Sequence, residues 1–102
     1  MKIPTRFSMG CHLWTVTIVS KEEMDTLFDG GEGNEVPLGL TLTHECRICV
    51  RDDPCESVRW HAFWHEFVHV LTASAGLSKI DKNEDLVELL GMLIAQAQQT
   101  ME

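Results

Sequence analysis

The residues of this chain that could do chemistry are concentrated in His65-Glu66-Phe67-Val68-His69, an H-E-x-x-H motif. Positions i and i+4 lie on one face of a helix, so the imidazoles of His65 and His69 converge on one metal ion. Glu66 projects beside that face, where its carboxylate can reach a water molecule bound to the metal. The motif therefore predicts two metal ligands and a candidate general base.

The helix that carries this motif is predicted to span residues 54–75 and to stop at Gly76. Asp53 suits the N-cap, Pro54 the first helical position, and Glu56 the N3 position of a capping box. Gly76 suits the left-handed conformation that often follows a helix end. A polar stripe on an otherwise apolar helix is formed by His61, His65, Glu66, His69 and Thr72. A helix so apolar over the rest of its surface is expected to be the core element of a small domain.

A third metal ligand is expected from elsewhere in the chain, because a catalytic zinc needs three protein ligands and one open position. The next helix is predicted from Glu84 to about Gln99, with Asn83 as its N-cap. A short loop between antiparallel helices brings its start near the end of the motif helix. Glu84 and Glu88 share one side of it, so one could bind the metal and the other could hold a ligand histidine in its tautomer.

The order of two strands, an H-E-x-x-H helix and an acidic helix start resembles the gluzincin branch of the zincin metallopeptidases. Asn83-Glu84-x-x-x-Glu88 is similar to the N-E-x-x-x-D pattern of the thermolysin family. At this length the chain is most like minimal zincin domains associated with phages and prophages. The resemblance implies Glu84 as the third zinc ligand and Glu88, in place of Asp, as the residue that orients a histidine.

The resemblance also implies a function, a zinc-dependent metallopeptidase acting on a protein or peptide substrate. Glu66 would act as general base on a water whose pKa the zinc lowers toward about 7. The strand before the motif helix, residues 47–51, is the expected edge that pairs with extended substrate. Larger relatives often stabilise the oxyanion with a tyrosine, which this chain lacks. His61 is the first candidate donor in its place, followed by His44 and Arg51.

Two other interpretations stay open at this point. The first is a non-catalytic zinc-binding or protein-interaction accessory factor of the phage or prophage type, which keeps the H-E-x-x-H helix. The small size of the chain and the missing tyrosine favour it. The second is a catalytic domain that needs a partner protein to complete its cleft.

Length and charge set limits on the partners. The 102 residues suit a single domain. The net charge of -8 argues against nucleic acid as a partner, because phosphate binding needs a basic face. No segment approaches the roughly 18 apolar residues of a membrane span, and the N-terminal residues lack the apolar run of a signal peptide. We therefore expect a cytoplasmic protein without a membrane partner.

The cysteines raise a second metal-site hypothesis. In a cytoplasmic protein Cys11, Cys46, Cys49 and Cys55 are expected to be free thiols or metal ligands. Cys46-x-x-Cys49 could form a site with His44 and Cys55. Positions three apart on a strand point to opposite faces, so ordinary half-buried cysteines are favoured unless a tight turn separates them.

The remaining elements are predicted from periodicity and capping signals. Residues 12–19 alternate as a strand, and Ser20 with Glu23 forms a capping box that opens a short helix. Residues 29–39 are expected to be an exposed, mobile loop. Residues 40–50 alternate as a strand or hairpin interrupted near His44-Glu45. One shared strand face is expected for Leu40, Leu42, His44, Cys46, Ile48 and Val50.

These elements predict an α+β fold, in which a small antiparallel or mixed sheet packs on the motif helix and a C-terminal helix completes the metal site. The C-terminal helix is expected to pack through its larger apolar residues. They are Leu86, Leu89, Leu90, Leu93, Ile94 and Ala97.

Overall fold

The computed structural model describes residues 1–28 and 35–101, and within them the chain forms four strands and four α-helices. In chain order the elements are β1 (Arg6–Met9), β2 (His12–Val19), α1 (Lys21–Leu27), β3 (Gly39–Leu42), β4 (Arg47–Arg51), α2 (Glu56–Ser74), α3 (Ser78–Asp81) and α4 (Glu84–Thr100). The predicted α+β class is therefore confirmed. Most of the loop expected at residues 29–39 lies outside the described residues, and Gly39 already belongs to β3.

The four strands form one mixed sheet in the order β1-β2-β4-β3. β1 runs antiparallel to β2, β2 parallel to β4, and β3 antiparallel to β4. β4 thus lies inside the sheet, with its hydrogen-bonding groups engaged on both sides. The prediction that residues 47–51 form a substrate-binding edge is wrong for this reason, and β3 is the edge strand next to β4.

The two faces of the sheet are covered by different helices. Ile48 and Val50 belong to the core cluster that includes α2, whereas Cys49 packs with Leu40 and Leu42 on the side of α1. The expected interruption near His44-Glu45 is confirmed. The expectation that Leu40 and Leu42 share one face with Ile48 and Val50 is wrong. A 3₁₀ turn at Thr43–Glu45 reverses the chain into a hairpin, in which Leu40 pairs with Cys49.

The start of α1 and the end of α2 follow their sequence signals. Ser20 and Glu23 form the predicted capping box, with the Glu23 backbone amide donating to Ser20 Oγ at 3.1 Å. At the end of α2, Gly76 adopts a φ of +73°, and the Leu77 amide donates to the Thr72 carbonyl at 2.8 Å. These contacts satisfy backbone groups that a helix end leaves free.

The start of α2 differs from the prediction. The helix begins at Glu56 with Cys55 as N-cap and no side-chain capping bond. Asp53 does not cap it, because its carboxylate accepts from the Arg51 guanidinium, with Arg51 Nε at 2.8 Å from Asp53 Oδ1. That charged pair is a stronger hydrogen bond than a backbone amide offers.

Helices α2 and α4 pack closely through small residues of α4. A Cβ atom on Gly91 would lie 2.8 Å from the His65 Cα atom. One turn later, Trp60 Nε1 donates to the Ala95 carbonyl at 2.9 Å. The buried face of α4 is Val87, Gly91 and Ala95.

The predicted packing face of α4 is therefore partly wrong. Leu89 and Leu93 are 46% and 49% exposed, and Ala97 is exposed too. Close helix contact at Gly91 and Ala95 turns the small residues inward and leaves these residues on the outside. None of the helices in the described part of the chain has the length and apolar character of a membrane span.

Candidate metal centre and cleft

His65 and His69 project from the same side of α2, as their spacing predicts. Their ring centroids are 5.2 Å apart, and each side chain is 17% exposed. Both rings turn an Nε2 atom toward the first turn of α4. Close packing at Gly91 holds α2 and α4 at short distance, so the two imidazoles can reach the start of α4.

Glu84, the first residue of α4, lies between the two imidazoles. Its Oε2 atom is 3.2 Å from His65 Nε2, and its Oε1 atom is 3.1 Å from His69 Nε2. Asn83 fixes the start of α4, since its side chain accepts from the Leu86 amide at 3.1 Å. Ligand atoms from all three residues lie within 4.8 Å of one another.

These distances fit a metal ion. Zinc bonds of about 2.0–2.1 Å at tetrahedral angles place ligand atoms about 3.3 Å apart. Two imidazoles and one carboxylate form a donor set that zinc accepts. All three residues line the cleft described below. Among the described residues, His65, His69 and Glu84 are the group that can hold a metal in this way.

The second nitrogen of each imidazole also faces a carboxylate. His65 Nδ1 lies 3.0 Å from Glu88 Oε2, and His69 Nδ1 lies 2.9 Å from Asp81 Oδ1. Such partners hold the Nδ1–H tautomer and direct the Nε2 lone pair toward a metal. Each ring thus has an acidic neighbour at both of its nitrogen atoms. The surroundings of both rings therefore suit a divalent cation between the Nε2 atoms and Glu84.

Asp81 was not identified from the sequence. It is the last residue of α3, a four-residue helix that is too short to show a periodic pattern of apolar residues. Glu84 and Glu88 share a helix face, which indicates a site, whereas Asp81 is a single acidic residue in the connection between two helices. The signal that could have found it is its place in the short link between the two site helices.

Glu66 is buried beside the candidate metal centre, with 8% of its surface exposed. Its Oε1 atom accepts from Thr41 Oγ1 at 2.9 Å, and its Oε2 atom is 3.9 Å from His65 Nε2. Burial raises the pKa of Glu66, against the opposing charge of His65 and the Thr41 hydrogen bond. The carboxylate therefore holds a proton more readily than an exposed one.

The pKa of His69 is also raised. Burial lowers it, but the hydrogen bond to Asp81 and the charges of Glu66 and Glu84 act in the opposite direction and prevail. Nearby carboxylates stabilise the cationic form of an imidazole. A metal cation at Nε2 would supply the positive charge in place of the proton.

A cleft of about 850 Å³ opens in front of these residues. One wall is α2 and the start of α4, and the other is the chain from Pro37 through β3. Most of the walls away from the titratable groups are apolar. Those apolar residues include Phe28, Pro37, Leu38, Leu40, Val58 and Ala62.

Of the three candidate oxyanion donors, the structure brings only His61 to the cleft. Its Nε2 atom lies against Glu88 Oε1, although the angle is not that of a hydrogen bond. His44 is exposed in the 3₁₀ turn, outside the cleft lining. Arg51 points elsewhere, to Asp53 and to the Val36 carbonyl.

The cysteines form no metal group within the described residues. Cys46 has a left-handed backbone, with a φ of 49°, at the end of the 3₁₀ turn that precedes β4. Cys49 is fully buried in the sheet, and burial raises the pKa of its thiol. Cys11 and Cys55 are exposed free thiols.

Comparisons of the chain with protein-family models, curated proteins and solved structures find no match. The functional argument therefore depends on the geometry of the site.

Proposed function

We propose that this protein is a zinc metallopeptidase that hydrolyses peptide bonds in a protein or peptide substrate. The observation that carries the proposal is the convergence of His65, His69 and Glu84, with the buried carboxylate of Glu66 beside them. Three ligands leave an open coordination position, as in catalytic zinc sites. The gluzincin likeness of the motifs points to the same chemistry, and a cytoplasmic location belongs to the same proposal.

In the proposed mechanism the chain supplies ligands, orientation and a base. Zinc, when bound, supplies a Lewis acid and lowers the pKa of water toward about 7. Glu66 takes the proton from the attacking water and passes it to the leaving nitrogen. Thr41 holds one carboxylate oxygen of Glu66 at 2.9 Å, so the other oxygen stays directed toward the metal centre. Glu88 keeps His65 in the tautomer that binds through Nε2.

The edge strand β3 is the proposed docking site for an extended substrate. The Arg51 amide donates to the Leu38 carbonyl, and Leu40 pairs with Cys49. In an antiparallel ladder these alternate residues use their amides and carbonyls toward β4. Gly39 and Thr41 therefore turn theirs toward the open side, where a peptide can add as a further strand.

His61 is the proposed transition-state donor. It lies on α2 one turn before His65 and lines the cleft. This role supports the hydrolytic proposal in a chain that has no tyrosine.

A non-catalytic accessory factor is the second candidate. The apolar surface of α4 favours it, because Leu89, Met92 and Leu93 are each more than 40% exposed. Such a surface could bind a partner protein. In that case the metal site would serve to hold α2 and α4 together, and Glu66 would have no role in turnover.

Replacement of Glu66 by Gln separates the two candidates. The variant Glu66→Gln keeps the ligands, so zinc content measured by elemental analysis should stay at one per chain. Hydrolysis of a peptide library, followed by mass spectrometry, should fall about 10²- to 10⁴-fold, the usual contribution of a general base. Glu22→Gln, an exposed change on α1, is the matched control and should leave hydrolysis unchanged. Equal turnover in wild type and Glu66→Gln would contradict the mechanism, and zinc binding with no hydrolysis by the wild type would favour the accessory factor.

A further inference from the structure

We propose that Asp81 is a positioning residue for the metal centre, which holds His69 so that its Nε2 atom faces the metal. This inference deepens the proposed function and depends on its metal site, though not on hydrolysis. The N-E-x-x-x-E pattern of α4 accounts for the orientation of His65 alone. The structure assigns an independent carboxylate to the second histidine.

The geometry around Asp81 supports this role. Asp81 Oδ1 is 2.9 Å from His69 Nδ1, within hydrogen-bond distance of that nitrogen. The side chain is 33% exposed, so the bond is partly shielded from water. An Nδ1–H donating to a carboxylate fixes the ring orientation and increases the basicity of Nε2.

Thr72 provides a second contact to Asp81 from α2. Its hydroxyl lies 3.1 Å from Asp81 Oδ1 and 2.9 Å from the Val68 carbonyl. The single hydroxyl proton can satisfy one acceptor at a time, and an ionised carboxylate is the stronger one. Thr72 is 4% exposed, so its hydroxyl needs a partner in the interior.

The connection between α2 and α4 places Asp81 for this contact. Gly76 ends α2 with a positive φ, and α3 follows as a single turn that finishes at Asp81. Asp81 therefore comes back along α2 to the level of Thr72 and His69, 12 residues after the histidine. A longer or straighter link would carry an acidic residue past the ring.

A purely structural role for Asp81 makes a different prediction. If the carboxylate only ties α3 to α2, its removal lowers the stability of the domain and leaves metal affinity as it was. If it orients His69, removal weakens metal binding even where the fold is intact. Metal affinity and stability must therefore be measured in the same variants.

The experiment compares Asp81→Ala, Asp81→Asn and Asp85→Ala with the wild type. Zinc affinity is measured by competition with a chromophoric chelator, and the melting temperature of the metal-free protein by circular dichroism. Asp81→Ala should weaken zinc binding about 10- to 100-fold, the usual effect of losing such a partner. Asp81→Asn should lose less, since its amide oxygen still accepts from Nδ1–H. Asp85 is an exposed acid in the first turn of α4, and its removal controls for net charge and should leave affinity unchanged.

A spectroscopic readout tests the orientation itself. Long-range ¹H–¹⁵N spectra of the zinc-loaded wild type should show His69 bound through Nε2 with a protected proton on Nδ1. That proton should exchange faster in Asp81→Ala, and Asp81→Asn should restore part of the protection. Unchanged affinity together with unchanged His69 signals in Asp81→Ala, even with a lower melting temperature, would overturn the inference. If Asp81→Ala does not fold, the isosteric Asp81→Asn decides by the same measurements.

The outcomes separate this inference from the proposed function. A wild-type protein that binds no zinc would overturn both. If zinc binding depends on Asp81 as described while the zinc-loaded wild type hydrolyses no peptide, the peptidase proposal fails and the role of Asp81 stands.

Discussion

Gly39 on the edge strand lies so close to Glu66 on α2 that a Cβ atom at Gly39 would be 2.8 Å from Glu66 Cγ. That distance is shorter than carbon atoms tolerate, and Cγ is an inner atom that cannot swing aside without moving the carboxylate. The absence of a side chain on Gly39 therefore allows Glu66 to lie between the sheet and the candidate metal centre. The edge strand takes part in placing the proposed base as well as in forming the cleft wall.

Replacement of Gly39 by Ala is expected to reduce hydrolysis by about 100-fold, the cost of a misplacement of about 1 Å near reacting atoms. Zinc affinity should remain at the wild-type value, because the ligands come from α2 and α4. Peptide turnover and chelator competition measure the two effects. Thr43→Ala, an exposed change just after β3, is the control and should leave turnover unchanged. Equal turnover in Gly39→Ala and wild type would show that Glu66 does not depend on this contact.

The stability of the metal-free protein should depend on pH through Glu66. Because burial raises its pKa above the ordinary 4.5, the folded protein binds this proton more tightly than the unfolded chain does. The resulting stabilisation is complete below pH 4.5 and is lost as pH rises through the pKa of the folded state. The raised pKa of His69 acts in the same direction above its ordinary 6.5.

Urea unfolding of the chelator-treated protein between about pH 5 and 8 tests this dependence. The free energy of unfolding of the wild type should fall with rising pH relative to that of Glu66→Gln, which has no proton to lose. The difference between the two proteins isolates Glu66 from the other titrating groups. Curves that stay parallel over this range would contradict the buried, proton-holding state of Glu66.

Replacement of Gly91 by Ala should destabilise the protein, although Gly→Ala in a helix ordinarily stabilises by up to about 1 kcal/mol. The new Cβ would lie 2.8 Å from His65 Cα, a backbone atom that cannot rotate away. We expect a loss of about 1–3 kcal/mol, as in other overpacked contacts, and weaker zinc binding because Glu84 moves with α4. Thermal unfolding and chelator competition measure both. Met92→Ala, at an exposed neighbour, is the control, and a stabilised Gly91→Ala with wild-type affinity would contradict the close packing.

Local signals in the sequence were enough for much of the fold. The capping box at Ser20 and the helix start at Asn83 are confirmed because neighbouring residues make the hydrogen bonds at these helix starts. The strand at His12–Val19 is confirmed as well. The same holds for Gly76 at the end of α2. For the site, spacing alone placed His65 and His69 on one face, and the structure brings Glu84 and Glu88 to them.

The wrong predictions concern places where tertiary contacts determine the structure. The α4 face was assigned by hydrophobicity, but Gly91 and Ala95 permit the closest approach to α2 and so become the buried residues. Strand order cannot be read from alternation, so the interior place of β4 was missed. Asp53 is of a residue type that is common at helix N-caps, but its carboxylate accepts a hydrogen bond from Arg51 instead. Each error reflects a partner distant in the sequence or stronger than the local one.

Because β3 lies at the sheet edge, the residues that place Glu66 are separate from the residues proposed to bind the metal. An assay of metal binding therefore does not report on the placement of Glu66. The proposed ligands and their carboxylate partners all belong to the segment from α2 through α4, whereas Thr41 and Gly39, which place Glu66, belong to the sheet. Under the proposed function, damage confined to the sheet edge would leave the metal content intact while displacing the proposed base, Glu66. Metal stoichiometry is therefore a poor measure of the fraction of molecules that can carry out the proposed hydrolysis. An active-site titration is the appropriate measurement of that fraction.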